Sequence, residues 1–312
     1  MKVSEEAMTI VVPVYNRPQL VVRSLDSLKA QTWRPLHIII VDNGSTDNTP
    51  DVLTAWKGEH AAPDFSIDIY YECRKGAAYA REKGLEHTKT DKVMFFDSDD
   101  VLRPDSVASI MKTWRGEPDA KVIAFPMFRH QSGKARKTHS VKGKLIERHL
   151  VHAILQTEGF AIKTDFLRSV GGWRGEYPVW NDFETGTRIL LSSPKVAAIK
   201  QPLSDVYAQK ISITGTSFSE KHGLWEKSLD GIEKAIRESG RKDTPRLLDI
   251  VNYRRAILAA DYYKEGHKDL ATDLMRQVLD NTPRSKRPVI RFAYLWTRNR
   301  MRGAFSIIGK FL

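Results

Sequence analysis

The chain has 312 residues, of which 41% are hydrophobic and 28% charged, a balance that can bury a sizeable core and excludes a disordered or fibrous chain. A single cysteine, Cys73, excludes an intramolecular disulfide framework and a multi-cysteine zinc site, and reads as a small buried hydrophobe. The net charge of +12 is uneven: −3 over residues 1–128, +6 over 129–150, +1 over 151–280 and +8 over 281–312, so the chain is not basic throughout in the manner of a nucleic-acid-binding protein.

Two glutamates precede the first short apolar run, a pattern of neither a signal peptide nor a spanning helix, which predicts a cytoplasmic location. The first half then alternates strand-like and helix-like segments as βαβ units do, predicting an α/β fold with a mostly parallel sheet flanked by helices. Strands are expected at 9–15, 36–42, 66–71 and 92–97, with helices at 18–31 and 76–87. Ser45 or Thr46 is expected to cap the helix after the second strand, and Pro104 to open another helix at its first turn. A further strand is expected at 122–129, followed by HQSGKARKTHSVKGK, a basic stretch without periodicity that reads as a mobile loop. A helix is expected at 182–192. Beyond Thr214 the pattern is helical alone, at 220–239, 245–265 and 269–280, a C-terminal all-helical extension.

In an open parallel sheet, ligands bind beyond the carboxyl ends of the strands. Polar clusters fall at those ends: Tyr15 and Asn16 after the first, Asp42 and Asn43 after the second, and Asp97-Ser98-Asp99-Asp100 after the fourth. Carboxylates spaced i, i+2 in a turn can chelate a hard divalent cation such as Mg²⁺ or Mn²⁺ and leave positions for phosphate oxygens.

Three ordered elements, VVPVYNRP, QTWRPLHIIIVDNGSTDNT and KGAAYAREKGLEHTKTDKVMFFDSDD, resemble family-2 glycosyltransferases of the GT-A type over about the first 110 residues. The resemblance implies a GT-A (Rossmann-like) fold, a nucleotide-sugar donor with UDP-sugars favoured, and a saccharide or lipid-linked saccharide acceptor. Carried over by position, it implies nucleotide-sugar contacts from Pro13, Tyr15, Asn16, Asp42, Asn43, Arg81, Asp97 and Ser98. The metal falls to Asp97 and Asp99, with Asp99 the more direct ligand, whereas Asp100 reads as a cap for the following helix. The turn Gly171-Gly172-Trp173 precedes Asn181-Asp182, so Asp182 matches the family's catalytic base. Asn181 stands where an acidic neighbour is usual, and Glu184 is the reserve candidate for the base. Trp173 and Trp180 are candidates to line the acceptor pocket. The histidine that many relatives carry near a Tyr-Arg-x-His-like segment is missing, with Lys210 or His222 as possible replacements. The implied organisation is a catalytic domain at 1–213, with donor binding in 1–110 and the acceptor side in 111–213, a helical extension at 214–283 and a basic tail at 284–312. The implied activity is inverting, metal-dependent sugar transfer in bacterial surface polysaccharide or glycolipid synthesis.

The tail combines eight cations with no acid. Ile290, Tyr294, Met301, Phe305, Ile308 and Leu312 recur at helical spacing with Arg291, Arg298 and Arg302 beside them, which suits peripheral contact with an anionic bilayer. Two other classes compete. A nucleotidyltransferase also uses strand-end aspartates, but its usual Gly-rich, cationic loop does not follow the first strand. A nucleic-acid-binding protein would suit the net charge, yet no recognition module accompanies it.

Overall fold

The computed structural model describes residues 6–138, 143–208, 217–299 and 301. The chain forms two compact units, one of residues 1–142, 154–185 and 193–208, the other of 143–153, 186–192 and 209–312. Two earlier segments, 143–153 and 186–192, thus fall with the C-terminal residues in the second unit.

In the first unit the strands are β1 (Met8–Val14), β2 (Leu36–Asp42), β3 (Phe65–Tyr71), β4 (Lys92–Phe95), β5 (Val101–Leu102), β6 (Val122–Ala124), β7 (Met127–Gln131), β8 (Lys134–Lys137), β9 (Phe160–Lys163), β10 (Val196–Ala198) and β11 (Ser204–Tyr207). The main sheet runs β10-β6-β9-β4-β1-β2-β3, and a smaller one runs β5-β11-β7-β8. β1 lies parallel to β2 and β4. β9 runs antiparallel to β4 and β6, so the sheet is mostly rather than wholly parallel.

All seven side chains of β1 are buried, each apolar one contributing roughly 1.5–3 kcal/mol. That explains why the strand reads as an unbroken apolar run: it is covered on both faces. The helix Ala77–His87 lies close against it. Gly84 allows this approach, because a Cβ there would come within 2.2 Å of Val11 Cγ1. Arg81, one turn earlier on that helix, is carried by this packing to a buried position beside the strand ends.

Several local expectations are corrected. The predicted strand at 122–129 is two strands in different sheets, β6 and β7. Part of the predicted mobile loop is the β7–β8 hairpin, turning at Ser132 and Gly133, both with positive φ as a two-residue primed turn requires. The helix Leu145–His152, in the second unit, begins where that stretch ends. Ser45 and Thr46 do not cap the following helix, which begins at Thr49. They hold Asn16 instead: Asn16 N donates to Ser45 Oγ at 3.0 Å, and Thr46 N donates to Asn16 Oδ1 at 2.8 Å. Cys73 is exposed, not buried.

The second unit is helical, with Leu145–His152, Leu224–Glu238, Thr244–Lys264, Lys268–Asp280 and Arg287–Arg298. Arg287–Arg298 packs Ile290 and Ala293 inward and leaves Phe292 and Leu295 exposed. The predicted apolar stripe is therefore shifted: Ile290 belongs to the core of the helical unit. Lys210, Arg302, Phe305, Ile308 and Leu312 lie outside the described residues.

Candidate active site

Because β1, β2 and β4 are parallel, the residues that follow them emerge at one edge of the sheet. Pro13 is buried within β1, opposite Val41, and Tyr15 is exposed just beyond it. Asp42 is buried at the end of β2, where its Oδ1 accepts from Ser45 N at 3.1 Å. Asn43 has its amide engaged within the fold. Its Nδ2 donates to the Glu72 and Arg74 carbonyls at 3.0 and 2.7 Å, and its Oδ1 accepts from Gly76 N at 2.7 Å. In this arrangement Asn43 staples the end of β2 to the loop after β3. A donor contact from it would have to come at the expense of those bonds.

The acidic turn after β4 divides its carboxylates between two environments. Asp99 pairs with Arg17 at 2.6 Å, and Arg23 Nη2 donates to the Asp99 carbonyl at 2.5 Å. Burial and the neighbouring Asp97 charge raise the Asp99 pKa, against the pull of Arg17. Asp97, Asp100 and Glu158 converge instead, each with a carboxylate oxygen within 4.8 Å of the others. Asp100 does not cap the next helix. Its Oδ1 accepts from Tyr207 N of β11 at 2.9 Å, so the small sheet holds the end of the turn. Ser98 is buried between the two aspartates.

Burial together with Asp97 and Asp99 pushes the Asp100 pKa up to about 8. Glu158 is raised well above the carboxylate range by burial, then by Asp97 and Asp100. Asp97 goes the other way: burial opposes its ionisation but is outweighed by Arg81 and by hydrogen bonds from Glu158 and Arg81. Glu158 Oε1 is buried without a hydrogen-bond partner. Three oxygen donors, excess negative charge and an orphaned carboxylate oxygen fit a hard divalent cation.

Arg81 joins this cluster to the start of the helix Asn181–Leu191. Its guanidinium donates to Asp97 Oδ1 at 2.5 Å and to Asn181 Oδ1 at 2.8 Å, and lies 4.9 Å from the centroid of the Trp173 ring. An amide at 181 therefore serves as acceptor for the arginine. Trp173 is buried against Phe95, a core position, whereas Trp180 is partly exposed, has φ of 48° and meets Phe183 edge-on. Asp182 follows it, partly exposed, with its Oδ1 accepting from Phe183 N at 2.8 Å. Burial raises the Asp182 pKa, Arg81 lowers it and Asp97 raises it again. Glu184 is buried and pairs with Arg174 at 3.6 Å. His222 lies in the second unit, where its ring meets the Ser219 carbonyl.

Sequence reasoning missed Glu158, Arg17 and the backbone of Tyr207. Arg17 lies inside the VVPVYNRP element and was legible as a cation at a strand end. Glu158 is a lone acid in a short 3-10 turn before β9 and carries no local signal.

The Glycosyl transferase family 2 model matches residues 9–171, just over half of the chain. The chain belongs to this family. Among curated family relatives, the putative glycosyltransferase EpsH of Bacillus subtilis is 30% identical over 128 residues, covering 41% of this chain and 36% of that protein. Glycosyltransferase GlyG of Streptococcus pneumoniae is 25% identical over 170 residues, covering 54% of this chain and 52% of that protein. The matched segment thus spans about half or less of these relatives. The structure of S. aureus TarS 1–349 in complex with UDP-GlcNAc superposes with a TM-score of 0.71 at 13% identity, covering 97% of this chain and 91% of that one. The mannosyltransferase PcManGT from Pyrobaculum calidifontis, in complex with GDP-Man and Mn²⁺, gives a TM-score of 0.55 at 19% identity, covering 96% and 86%. These likenesses show the family-2 fold of GT-A type, with its C-terminal helical extension.

Proposed function

We propose that this family-2 chain is an inverting, metal-dependent glycosyltransferase that moves a sugar from a nucleotide-sugar, with UDP-sugars favoured, to a hydroxyl of a saccharide or lipid-linked saccharide. Synthesis of a bacterial surface polysaccharide or glycolipid is the setting we infer. One observation carries the reading: buried Arg81 ties the strand-end carboxylate Asp97 to Asn181, the residue before Asp182. Cation-binding and proton-accepting carboxylates are thereby held in one construction.

Asp97, Asp100 and Glu158 would hold Mg²⁺ or Mn²⁺, while Asp99 stays paired with Arg17. These residues would hold the cation, which would supply positive charge against the diphosphate of the leaving nucleotide. Asp182 accepts the proton of the attacking hydroxyl. A single base with direct attack inverts the anomeric centre. Exposed Tyr15 can stack on the base, and Asp42 is close to the same sheet edge. The UDP-GlcNAc bound in one structural neighbour and the GDP-Man and Mn²⁺ bound in another support a nucleotide-sugar donor and a divalent metal.

A panel of UDP-, GDP- and dTDP-sugars with Mn²⁺, read as free nucleotide, tests the reading. Release is expected from at least one donor and is lost in EDTA, and Asp100→Asn and Glu158→Gln bind Mn²⁺ at least about tenfold more weakly. No release from any donor overturns the transferase reading, and undiminished release in EDTA overturns the metal.

We also propose peripheral contact with the inner face of an anionic membrane. No described helix is long and apolar enough to cross one. The exposed face of Arg287–Arg298 carries Phe292 and Leu295 beside Arg291, a composition suited to the bilayer interface. Phe292→Ser/Leu295→Ser is expected to lower pelleting with phosphatidylglycerol vesicles. Pelleting equal to that of the unaltered protein overturns the proposal.

A further inference from the structure

The β7–β8 hairpin has a charge arrangement that the reaction above does not use. In its antiparallel ladder Arg129 stands directly opposite Arg136, and Gln131 opposite Lys134. Directly paired residues share a face, so Arg129, Gln131, Lys134 and Arg136 all project on one side. Like charges directly opposite each other destabilise a ladder. Here two arginines stand opposite each other, and the face they share forms a groove of about 330 Å³ lined by Arg129, Gln131, Ser132, Lys134 and Arg136, with no carboxylate among them.

Edge protection accounts for part of this pattern. β8 is the outer strand of its sheet and exposed throughout, and charged side chains there discourage pairing with another chain. Protection needs charge on the edge strand alone. It does not call for an arginine on β7 facing an arginine on β8, with a concave surface between them.

The hairpin also leads to the reaction site. Arg129 Nη2 donates to neutral Gln156 Oε1 at 3.2 Å, two residues before Glu158. Its charge acts on both Asp100 and Asp182, the inner end of the groove being within electrostatic range of the acidic cluster and the base. The cations therefore run from the reacting centre outward along one hairpin face.

We propose that this face docks a phosphodiester group belonging to the acceptor, so that the acceptor is a phosphate-bearing chain and not a neutral glycan. Guanidinium groups facing each other match phosphate oxygens with paired hydrogen bonds, and Lys134 adds a third cation. The groove favours a discrete phosphate over a bilayer headgroup layer. It is concave, and none of the large hydrophobic side chains exposed among the described residues lies on the hairpin. The inference rests on the glycosyltransferase reading and adds the acceptor's chemistry to it.

The test uses the full chain and a fluorescein-labelled oligomer of glycerol phosphate, measured by anisotropy at near-physiological salt without added metal. Lys134→Ala/Arg136→Ala is expected to bind about tenfold or more weakly and to show a shallower salt dependence. Lys286→Ala/Arg291→Ala removes the same charge from the second unit and is expected to bind as the unaltered protein does. Lys134→Ala/Arg136→Ala should keep donor hydrolysis in the absence of acceptor and keep pelleting with phosphatidylglycerol vesicles. Equal affinity in the two double variants, or a loss of vesicle pelleting with oligomer binding intact, overturns the proposal. Failure of the transferase reading is separate, because it appears as absence of nucleotide release from every donor by the unaltered protein.

Discussion

With Asp182 as the proposed base, Asp182→Asn is expected to lower transfer to the acceptor by roughly 10²–10⁴-fold, the usual contribution of a general base, with donor binding and folding unchanged. The exchange preserves shape, and the amide oxygen can still accept from Phe183 N. What disappears is the ability to take a proton. The pH profile supplies an independent reading. Burial raises the Asp182 pKa and Arg81 only partly offsets it. A base at Asp182 would work deprotonated, so kcat/KM of the unaltered protein is expected to fall as pH drops through a value above that of an ordinary aspartate. Steady-state kinetics against pH, with nucleotide affinity measured in parallel, checks both points. Full transfer by the asparagine variant would remove Asp182 from the role of base.

Arg81→Met is expected to cost about 3 kcal/mol of stability, the low end for removing one partner of a buried ion pair because Asp97 retains 35% side-chain exposure. For the unit that holds Arg81, about 190 residues, that is a fall in Tm of roughly 6–12 °C. Arg81 is 4% exposed and supplies the positive charge that faces Asp97. Without it, Asp97 shares a crowded site with Asp99, Asp100 and Glu158, and Asn181 loses its hydrogen bond.

The pH dependence has a definite sign. The folded-state pKa of Asp97 is lowered, so its stabilisation is present above its unfolded pKa and is lost as pH falls through the folded one. The difference between the two proteins therefore narrows in acid. Arg81→Lys keeps the charge but cannot reach both partners with a planar fork, and should recover only part of the loss. Thermal denaturation at neutral and acidic pH distinguishes these outcomes. Equal Tm for the unaltered protein and the methionine variant at neutral pH would show that the arginine does not hold the cluster.

Much of the catalytic unit was legible residue by residue. The apolar run of β1 and the β-branched run of β2 identify strands buried on both faces, and Asp42 and Asp97 follow from where such strands end. Arg81 stands out in the sequence by its place in the third motif, whereas its contact with Asn181 spans 100 positions in the chain. The β7–β8 hairpin was harder to read. Its side chains are mostly polar on both faces, so no alternation marked the strands, and only Ser132-Gly133 signalled a turn.

The sequence by itself determined the family, the parallel order of the first strands and the acidic turn after β4. These depend on local periodicity and on short motifs whose spacing survives without knowledge of distant contacts. Tertiary structure decided which carboxylates meet. Asp99 is drawn to Arg17, Asp100 is held by the backbone of Tyr207, and Glu158 arrives from a turn about 60 residues further on. The physical reason is that ion pairing, hydrogen bonding and burial act between groups brought together by sheet topology. An i, i+2 spacing can present two aspartates, but the charges packed around them decide which carboxylate lies with other acids and which pairs with an arginine.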